Sequence, residues 1–133
     1  MAVLKNFIYC LRTDQNLDGI VNVEGVMSVL QPEYVPGMFS FSIFFTLLGL
    51  SRGSHSLRVE FRNPNGEVVT SVEEKNLEYF PPETDELPAE QSGLNIVIQM
   101  QNVVMRTNGM YNTTVQLDDT DLGEFEIYVK GRK

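Results

Sequence analysis

The sequence predicts an all-β protein, an antiparallel β-sandwich of about eight strands with Greek-key connections. Three observations support this fold. Apolar residues recur at every second position in several segments, which is the period of a strand with one buried face. Turn-forming residues separate these segments at short intervals, and no segment has the spacing of a convincing helix. A chain of 133 residues is large enough to bury a sizeable core, so we predict a single domain over residues 1–133.

The most apolar run of the chain, residues 38–50, is predicted to be the central strand. The even positions of this run include Ser40, Ser42 and Thr46, whereas the odd positions from 39 to 47 are all apolar: Phe39, Phe41, Ile43, Phe45 and Leu47. The run has 13 residues, fewer than the roughly 20 that a helix needs to cross a bilayer. The odd face therefore belongs to the core, and the run is a strand rather than a membrane helix.

The second face of this strand also carries large apolar residues. Phe44 and Leu48 point away from the predicted core, and Leu50 follows a glycine that would allow another backbone to come close. We predict that Phe44, Leu48 and Leu50 form a protein-binding surface, with self-association as one form of it. The alternative is that another layer of the same domain, such as the long loop near residue 80, covers these residues.

The remaining strands follow from the same alternation. Residues 56–62 are the clearest case, because Leu57, Val59 and Phe61 alternate with polar side chains. The Asn-Pro-Asn-Gly turn at 63–66 then predicts a hairpin, since glycine can take the positive φ that tight turns need. The other predicted strands span residues 3–13, 19–31, 67–74, 94–105, 111–117 and 124–130.

Residues 76–93 form a predicted acidic loop. They cannot be a central strand because they contain Pro81, Pro82 and Pro88, which donate no backbone hydrogen bond. A loop of about 15 residues without its own structure is uncommon in a compact domain and is often functional. The alternative is a solvated connection between the two sheets.

Composition disfavours several classes of partner. The formal net charge of -8 repels phosphate backbones and anionic lipid headgroups, so we expect neither nucleic acid nor a membrane as a partner. Cys10 is the only cysteine and can form no intrachain disulfide. The N-terminal residues lack the pattern of a secretion signal. We therefore expect a cytoplasmic protein.

The reactive side chains predict a non-enzymatic protein without a cofactor. His55 is the only histidine, which excludes His-rich zinc sites, and its position at a strand start suggests a surface residue. Cys10 lies among apolar neighbours, where a thiolate is disfavoured. No glycine-rich phosphate loop leads into a helix. Hydrolytic chemistry at His55 is the least supported alternative.

The turn after the first strand suggests a different class of function. Residues 14–19 read D-Q-N-L-D-G, the opening of a calcium loop in which Asp14, Asn16 and Asp18 supply oxygens at alternate positions. The match is incomplete, because the twelfth position of such a loop should be Glu and is Gly25 here. A plain hairpin turn is the alternative. A calcium-dependent domain resembling C2-type sandwiches would need a further aspartate from another turn: Asp118, Asp119 or Asp121.

Residues 108–115, N-G-M-Y-N-T-T-V, resemble the tyrosine corner of immunoglobulin-like and fibronectin-like sandwiches. In those domains a tyrosine hydroxyl at the start of the penultimate strand bonds to a nearby backbone group. Tyr111 would be that residue. Because the chain has no tryptophan and a single cysteine, the resemblance carries over the immunoglobulin-like architecture but not an antibody-type domain.

The whole chain resembles a family of short bacterial and phage proteins known only as a domain of unknown function. The shared features are the Asp-rich turn after the first strand, the Phe-rich third strand and four motifs. These motifs are I-V-N-V-E-G-V at 20–26, F-R-N-P-N-G at 61–66, N-G-M-Y-N-T-T-V at 108–115 and L-G-E-F-E-I-Y-V at 122–129. The resemblance implies the sandwich fold and leaves the activity open. Together with the inventory above, it predicts a protein-interaction or structural module.

Overall fold

Two β-sheets make up the part of the chain that the computed structural model describes, residues 2–17, 20–83 and 86–133. These residues form nine strands and one 3₁₀ turn at Ala89–Gln91. The strands are β1 (Val3–Gln15), β2 (Val21–Met27), β3 (Val29–Leu30), β4 (Gly37–Leu48), β5 (Gly53–Arg62), β6 (Val68–Tyr79), β7 (Gly93–Met105), β8 (Gly109–Leu117) and β9 (Thr120–Val129).

The strands divide into sheet A, in the order β2-β1-β4-β7, and sheet B, in the order β3-β9-β8-β5-β6. Neighbouring strands are antiparallel except for β3, which runs parallel to β9. The prediction of an all-β, two-sheet fold is confirmed. The structure has one strand more than expected because the predicted strand 19–31 is interrupted at Ser28. Its first part stays in sheet A as β2, and its last part crosses to sheet B as β3.

The inward face of β4 lies at the centre of the core, as its alternation predicts. Four of its side chains are each at most 2% exposed: Phe41, Ile43, Phe45 and Leu47. Aromatic rings continue from there into sheet B. The ring centroids of Phe41 and Phe61 are 5.4 Å apart, and those of Phe61 and Tyr111 are also 5.4 Å apart. Full burial of one such side chain stabilises a fold by about 1.5–3 kcal/mol, so this face is a main source of stability.

A buried tyrosine makes a polar connection between the sheets. The hydroxyl of Tyr9 on β1 donates to the carbonyl oxygen of Phe125 on β9 at 2.9 Å. It also lies 2.7 Å from Oγ1 of Thr113 on β8, a residue that is 0% exposed. Since the phenol has only one proton to give, the Thr113 hydroxyl donates to Tyr9. Burial raises the pKa of Tyr9, so its phenol stays neutral and keeps both bonds.

The predicted hairpin at 63–66 is present between β5 and β6. The amide of Asn63 donates to the carbonyl of Glu67, and the amide of Gly66 donates to the carbonyl of Asn63, both at 2.9 Å. Gly66 has a φ of 82°, the conformation for which glycine was expected at this position. The side-chain oxygen of Asn63 also accepts from the amide of Asn65 at 3.0 Å.

The acidic loop is shorter than the predicted range of 76–93. β6 continues to Tyr79 and β7 begins at Gly93, so the connection is only 80–92. The prediction ended β6 too early because the polar residues 73–76 interrupt its apolar alternation. Residues 73–76 nevertheless belong to the strand region because β6 pairs with β5 on both sides of them. The alternation within one segment of sequence does not reveal such pairing between strands.

Tyr111 lies near the start of β8 and is 1% exposed. Its hydroxyl donates to the carbonyl oxygen of Thr107 at 2.8 Å. This contact is of the kind that the tyrosine-corner resemblance implies. It fixes the turn that precedes β8 to the strand itself.

The two buried phenols allow a matched comparison. We expect Tyr111→Phe to lower the free energy of unfolding by about 1 kcal/mol, because water can reach the exposed Thr107 once the bond is lost. Tyr9→Phe should cost more, about 1–3 kcal/mol, because it leaves the Thr113 hydroxyl unpaired in the core. Urea unfolding of both variants and the wild type measures the difference. A Tyr9→Phe midpoint equal to that of the wild type would contradict the assigned role.

Candidate functional site

The outward face of sheet A carries an apolar row that crosses three strands. In the ladder, Phe44 of β4 lies opposite Ile8 of β1 and opposite Val97 of β7. Residues paired in this way point to the same face of a sheet. Phe44 and Ile8 are half-buried, and Val97 is 37% exposed. Three large apolar side chains therefore stand side by side on the solvent face of the sandwich.

Further apolar side chains extend this row. Leu48 is half-buried and lies opposite Val3, which is 51% exposed. Val26 on β2 lies opposite Cys10 and is 67% exposed. We call this set of residues the outer patch: Val3, Ile8, Val26, Phe44, Leu48 and Val97. Outward faces of antiparallel sheets are usually polar, so an apolar set of this extent calls for an explanation.

A polar row lies between Phe44 and Leu48. The Thr46 hydroxyl donates to Oδ1 of Asn95 at 2.9 Å and accepts a longer bond of 3.5 Å from Nδ2 of Asn6. These groups satisfy each other within the sheet, so the polar row does not need water to be paired. The outer patch is thus divided by an already paired polar row, an arrangement that suits a protein contact.

The sequence identified Phe44 and Leu48 but missed their neighbours on the outer patch. Ile8 and Val26 were missed because their facing depends on ladder register, which the sequence alone does not give. Val97 could have been found. It interrupts the otherwise polar face of the strand predicted at 94–105, and that interruption is the available signal.

Leu50 corrects one part of the interface prediction. It is 5% exposed and belongs to the core, so it offers little surface to a partner. The reason is Gly49, whose φ of 73° reverses the strand alternation just before Leu50. The amides of both residues donate to the carbonyl oxygen of Ser92, at 2.9 and 3.2 Å, which fixes this turn. We therefore remove Leu50 from the surface.

The loop that might have covered the outer patch lies elsewhere in its described part. Pro81 accepts a hydrogen bond from the Arg52 guanidinium. Pro81 and Pro82 line a cleft together with Leu50 and Tyr79, at the end of the sandwich. The described residues of the loop therefore cover the turn between β4 and β5, and Asp85 lies outside the described residues.

His55 is buried, which contradicts the prediction of a surface histidine. It is 8% exposed, and both of its ring nitrogens have partners. Nδ1 lies 2.7 Å from Oδ2 of Asp118, and Nε2 lies 2.7 Å from the carbonyl oxygen of Ser51. Asp118 also accepts from the amide of Ser56 through Oδ1 at 2.8 Å, and its own amide donates to the Ser56 carbonyl at 2.8 Å. These contacts join the turn before β5 to the turn between β8 and β9.

The protonation state of His55 follows from its two acceptors. A carboxylate and a carbonyl can only accept, so both bonds form together only when each ring nitrogen carries a proton and the ring is a cation. The Asp118 carboxylate and the Ser51 carbonyl raise the pKa of His55, and the same ion pair lowers the pKa of Asp118. The sequence could not show this pair, because His55 and Asp118 are 63 residues apart.

A cleft of about 250 Å³ adjoins this pair and is lined by Ala2, Leu50, His55 and Asp118 among others. Neither ring nitrogen of His55 is available to take a proton from a substrate, because both donate to fixed acceptors. Cys10, the other reactive side chain, is 0% exposed, and burial raises the pKa of its thiol. Both side chains are thus engaged within the fold, His55 by two hydrogen bonds and Cys10 by burial.

The calcium alternative gains no supporting observation. Asn16 uses its side-chain oxygen to accept from the amide of Ile20 at 3.0 Å, and Asp118 is engaged by His55. Within residues 2–17, 20–83 and 86–133, no three His, Cys, Asp or Glu side chains cluster in a way that could hold a metal ion. Asp18, the third residue of the predicted calcium motif, lies outside the described residues.

Comparison with known proteins supplies the family. A model described as a family of unknown function, DUF6941, matches residues 6–130. The chain belongs to this family. The resemblance to a domain of unknown function, predicted from the strand and turn motifs, is confirmed. No curated protein matches the DUF6941 chain. Across its described residues, no helix has the length and apolar character needed to cross a membrane.

Solved structures similar to this DUF6941 chain support its fold. An immunoglobulin-like protein from Pseudomonas aeruginosa matches with a TM-score of 0.52 and 14% identity, over 98% of this chain and 97% of that one. The alkylpurine DNA glycosylase AlkC from Pseudomonas fluorescens, bound to DNA containing an abasic site analogue, matches with a TM-score of 0.51 and 12% identity. That match covers 97% of this chain and 30% of AlkC. At such identities the likeness shows an immunoglobulin-like fold and nothing about activity.

The His55 ion pair predicts a specific pH dependence of stability. The folded pKa of His55 is raised above the value of about 6.5 expected for an unfolded chain. Its contribution to stability is therefore complete below that pH and is lost as the pH rises through the folded pKa. Asp118 has a lowered pKa, so its contribution is lost only on acidification below about pH 4.

We expect the wild type to lose stability above about pH 6.5 relative to His55→Gln, which cannot titrate. Urea unfolding from pH 5 to pH 9 measures both proteins. Parallel stability curves over that range would show that the histidine is not a cation in the folded protein.

Proposed function

We propose that this DUF6941 protein is a non-enzymatic interaction module that binds a protein partner through the outer patch of sheet A. The observation that supports the proposal is the apolar row Ile8, Phe44 and Val97 on the outward face of an antiparallel sheet, a kind of face that is usually polar. Removing a Val, Leu, Ile or Phe side chain from water contributes about 1.5–3 kcal/mol at full burial. A few such residues at the centre of a contact are enough to dominate its energy.

The outward face of sheet B is a poorer candidate. Its centre carries paired charges, because Arg62 lies 2.9 Å from Glu60 and Arg58 lies 3.7 Å from Glu73. Charged residues are depleted at the centres of protein interfaces. A second apolar row, also of three residues, crosses strands β3, β9 and β8 of this face: Val29, Tyr128 and Met110. This row is the rival surface that an experiment must separate from the outer patch.

The reactive side chains support the non-enzymatic part of the proposal. The His55 ring donates through both nitrogens, and the Cys10 thiol is buried. We also propose a cytoplasmic location, because Cys10 is a free thiol and a domain of this size needs no disulfide for its stability.

Phe44→Ser tests the proposed contact, with Tyr128→Ser as its matched control. Each change removes one aromatic side chain from an outward face, the first from sheet A and the second from sheet B. We expect proteins captured by the wild type from a lysate of its host to be retained by Tyr128→Ser and lost with Phe44→Ser. Capture by immobilised protein, quantified by mass spectrometry, measures the difference.

Folding of each variant is checked by urea unfolding, because Phe44 is half-buried. If Phe44→Ser does not fold, Val26→Glu replaces it, since Val26 is 67% exposed and a charge there should leave the fold intact. Partners lost with Tyr128→Ser and kept by the sheet A variants would assign the contact to sheet B and refute the proposal.

A further inference from the structure

A sheet edge exposes unpaired amides and carbonyls, and proteins usually protect such edges. Sheet B ends at β3, which has only two residues, and at β6, which carries Glu73, Glu74, Lys75 and Glu78. Sheet A ends on one side at β2, a short strand with the charged Glu24 and with Gly25 at a φ of 69°. Short length, charges and a glycine are recognised ways of discouraging the addition of another strand. Three of the four edges are therefore protected.

The fourth edge, β7, lacks these features. Gly93–Met105 spans 13 residues without a charged residue or a proline. It pairs with β4 on one side, and no other strand of the described chain pairs with its free side. Its ladder with β4 is regular from Gly93 to Met100. The register then shifts at Asn102, which has a φ of 53° and whose amide donates to Oγ of Ser40 at 2.9 Å. Residues 93–100 therefore offer a regular, uncharged edge.

We propose that β7 pairs in antiparallel fashion with β7 of a second copy of this chain, so that the two sheets A join into one sheet of eight strands. This inference goes beyond the proposed function, because the contact lies at the edge of sheet A and not on the outer patch. A strand added at an edge gains backbone hydrogen bonds along its whole length, while side chains at alternate positions decide which strand fits.

The composition of β7 suits a second copy as the occupant. Two chains that each carry a net charge of -8 repel one another, and this repulsion is weakest where neither surface carries a charge. β7 is such a surface. Its outward positions include Asn95, Gln99 and Gln101, all exposed. An amide side chain both donates and accepts hydrogen bonds, so amides facing each other across a twofold axis are self-complementary.

Two apolar features lie at this edge. Val97, at the end of the row that contains Phe44, would face the same row of the second copy, so the outer patch would continue across the axis. A mostly apolar cleft of about 400 Å³ also lies beside this edge. Residues of β7 and β6 line it, Glu74 among them, together with Gln15 of β1 and Val21 of β2. An added strand would lie next to this cleft.

The first test of β7 pairing is the molecular mass of the protein in solution. We expect the wild type to form dimers as its concentration rises in sedimentation equilibrium experiments. The double change Gln99→Lys with Gln101→Lys should weaken dimerisation at least tenfold, because like charges would face each other across the axis. These lysines reduce the net negative charge, so the loss cannot come from overall repulsion. The matched control, Ser71→Lys with Asn76→Lys, adds the same charge at two exposed positions of β6 and should still dimerise.

Crosslinking then maps the contact. Because Cys10 is 0% exposed, a cysteine introduced on the surface is the main reactive thiol. Four variants with one added cysteine are oxidised, each variant alone and then in equal mixtures of two variants with neighbouring cysteine positions. They are Asn95→Cys, Val97→Cys, Gln99→Cys and Gln101→Cys. We expect disulfide-linked dimers from at least one of these combinations and none from Ser71→Cys on β6. Dimers in solution that give no link from β7 would overturn the inference.

The outcomes separate this inference from the proposed function. A wild type that stays monomeric at all concentrations overturns pairing through β7 but leaves the binding of another protein to the outer patch standing. A dimer that Phe44→Ser abolishes and the two β7 lysines leave intact also overturns edge pairing, and it supports contact through the face. A dimer that the β7 lysines abolish, with links from β7, supports the inference.

Discussion

The alternation of side chains along β4 is the constraint on which the rest of the structure depends. Phe41 and its inward neighbours fill the centre of the sandwich, and the ring of Phe61 meets them from sheet B. Successive side chains of a strand point to opposite faces of the sheet, so the residues that alternate with these inward positions must face outward. Phe44 and Leu48 stand on the solvent side for this reason. Their outward position is forced by the core, but their apolar character is not, and the proposed interaction explains it.

Two polar ties hold the sandwich around this apolar centre. Tyr9 connects sheet A to both β8 and β9 through its hydroxyl. The pair of His55 and Asp118 closes one end by joining two turns that are distant in sequence. Polar groups buried in a core stabilise it only when each donor and acceptor is paired. The hydroxyl of Tyr9 and both ring nitrogens of His55 have partners, and the Asp118 carboxylate also reaches solvent.

The sequence predicted those features that depend on local pattern. Regular alternation located the strand at 56–62, and turn chemistry located the hairpin after it, because both signals lie within a few residues. Features that depend on pairing across the fold were not predictable. His55 seemed a surface residue because Asp118 is far away in sequence, and Leu50 seemed to face outward because a positive φ at Gly49 changes the alternation. For the candidate site, the sequence found β4 and missed the neighbours that ladder register supplies.

The central claim is that the protein associates through the outward face of sheet A. Methyl NMR spectra recorded before and after association test it most directly, because they report on outward and inward side chains together. The account predicts that association shifts or broadens the methyl signals of Ile8, Leu48 and Val97, which lie on the outer patch. The signals of Leu47 and Val59, which are 0% exposed in the core, should keep their positions. Association that leaves the outer-patch signals unchanged, with its shifts on sheet B instead, would contradict the account.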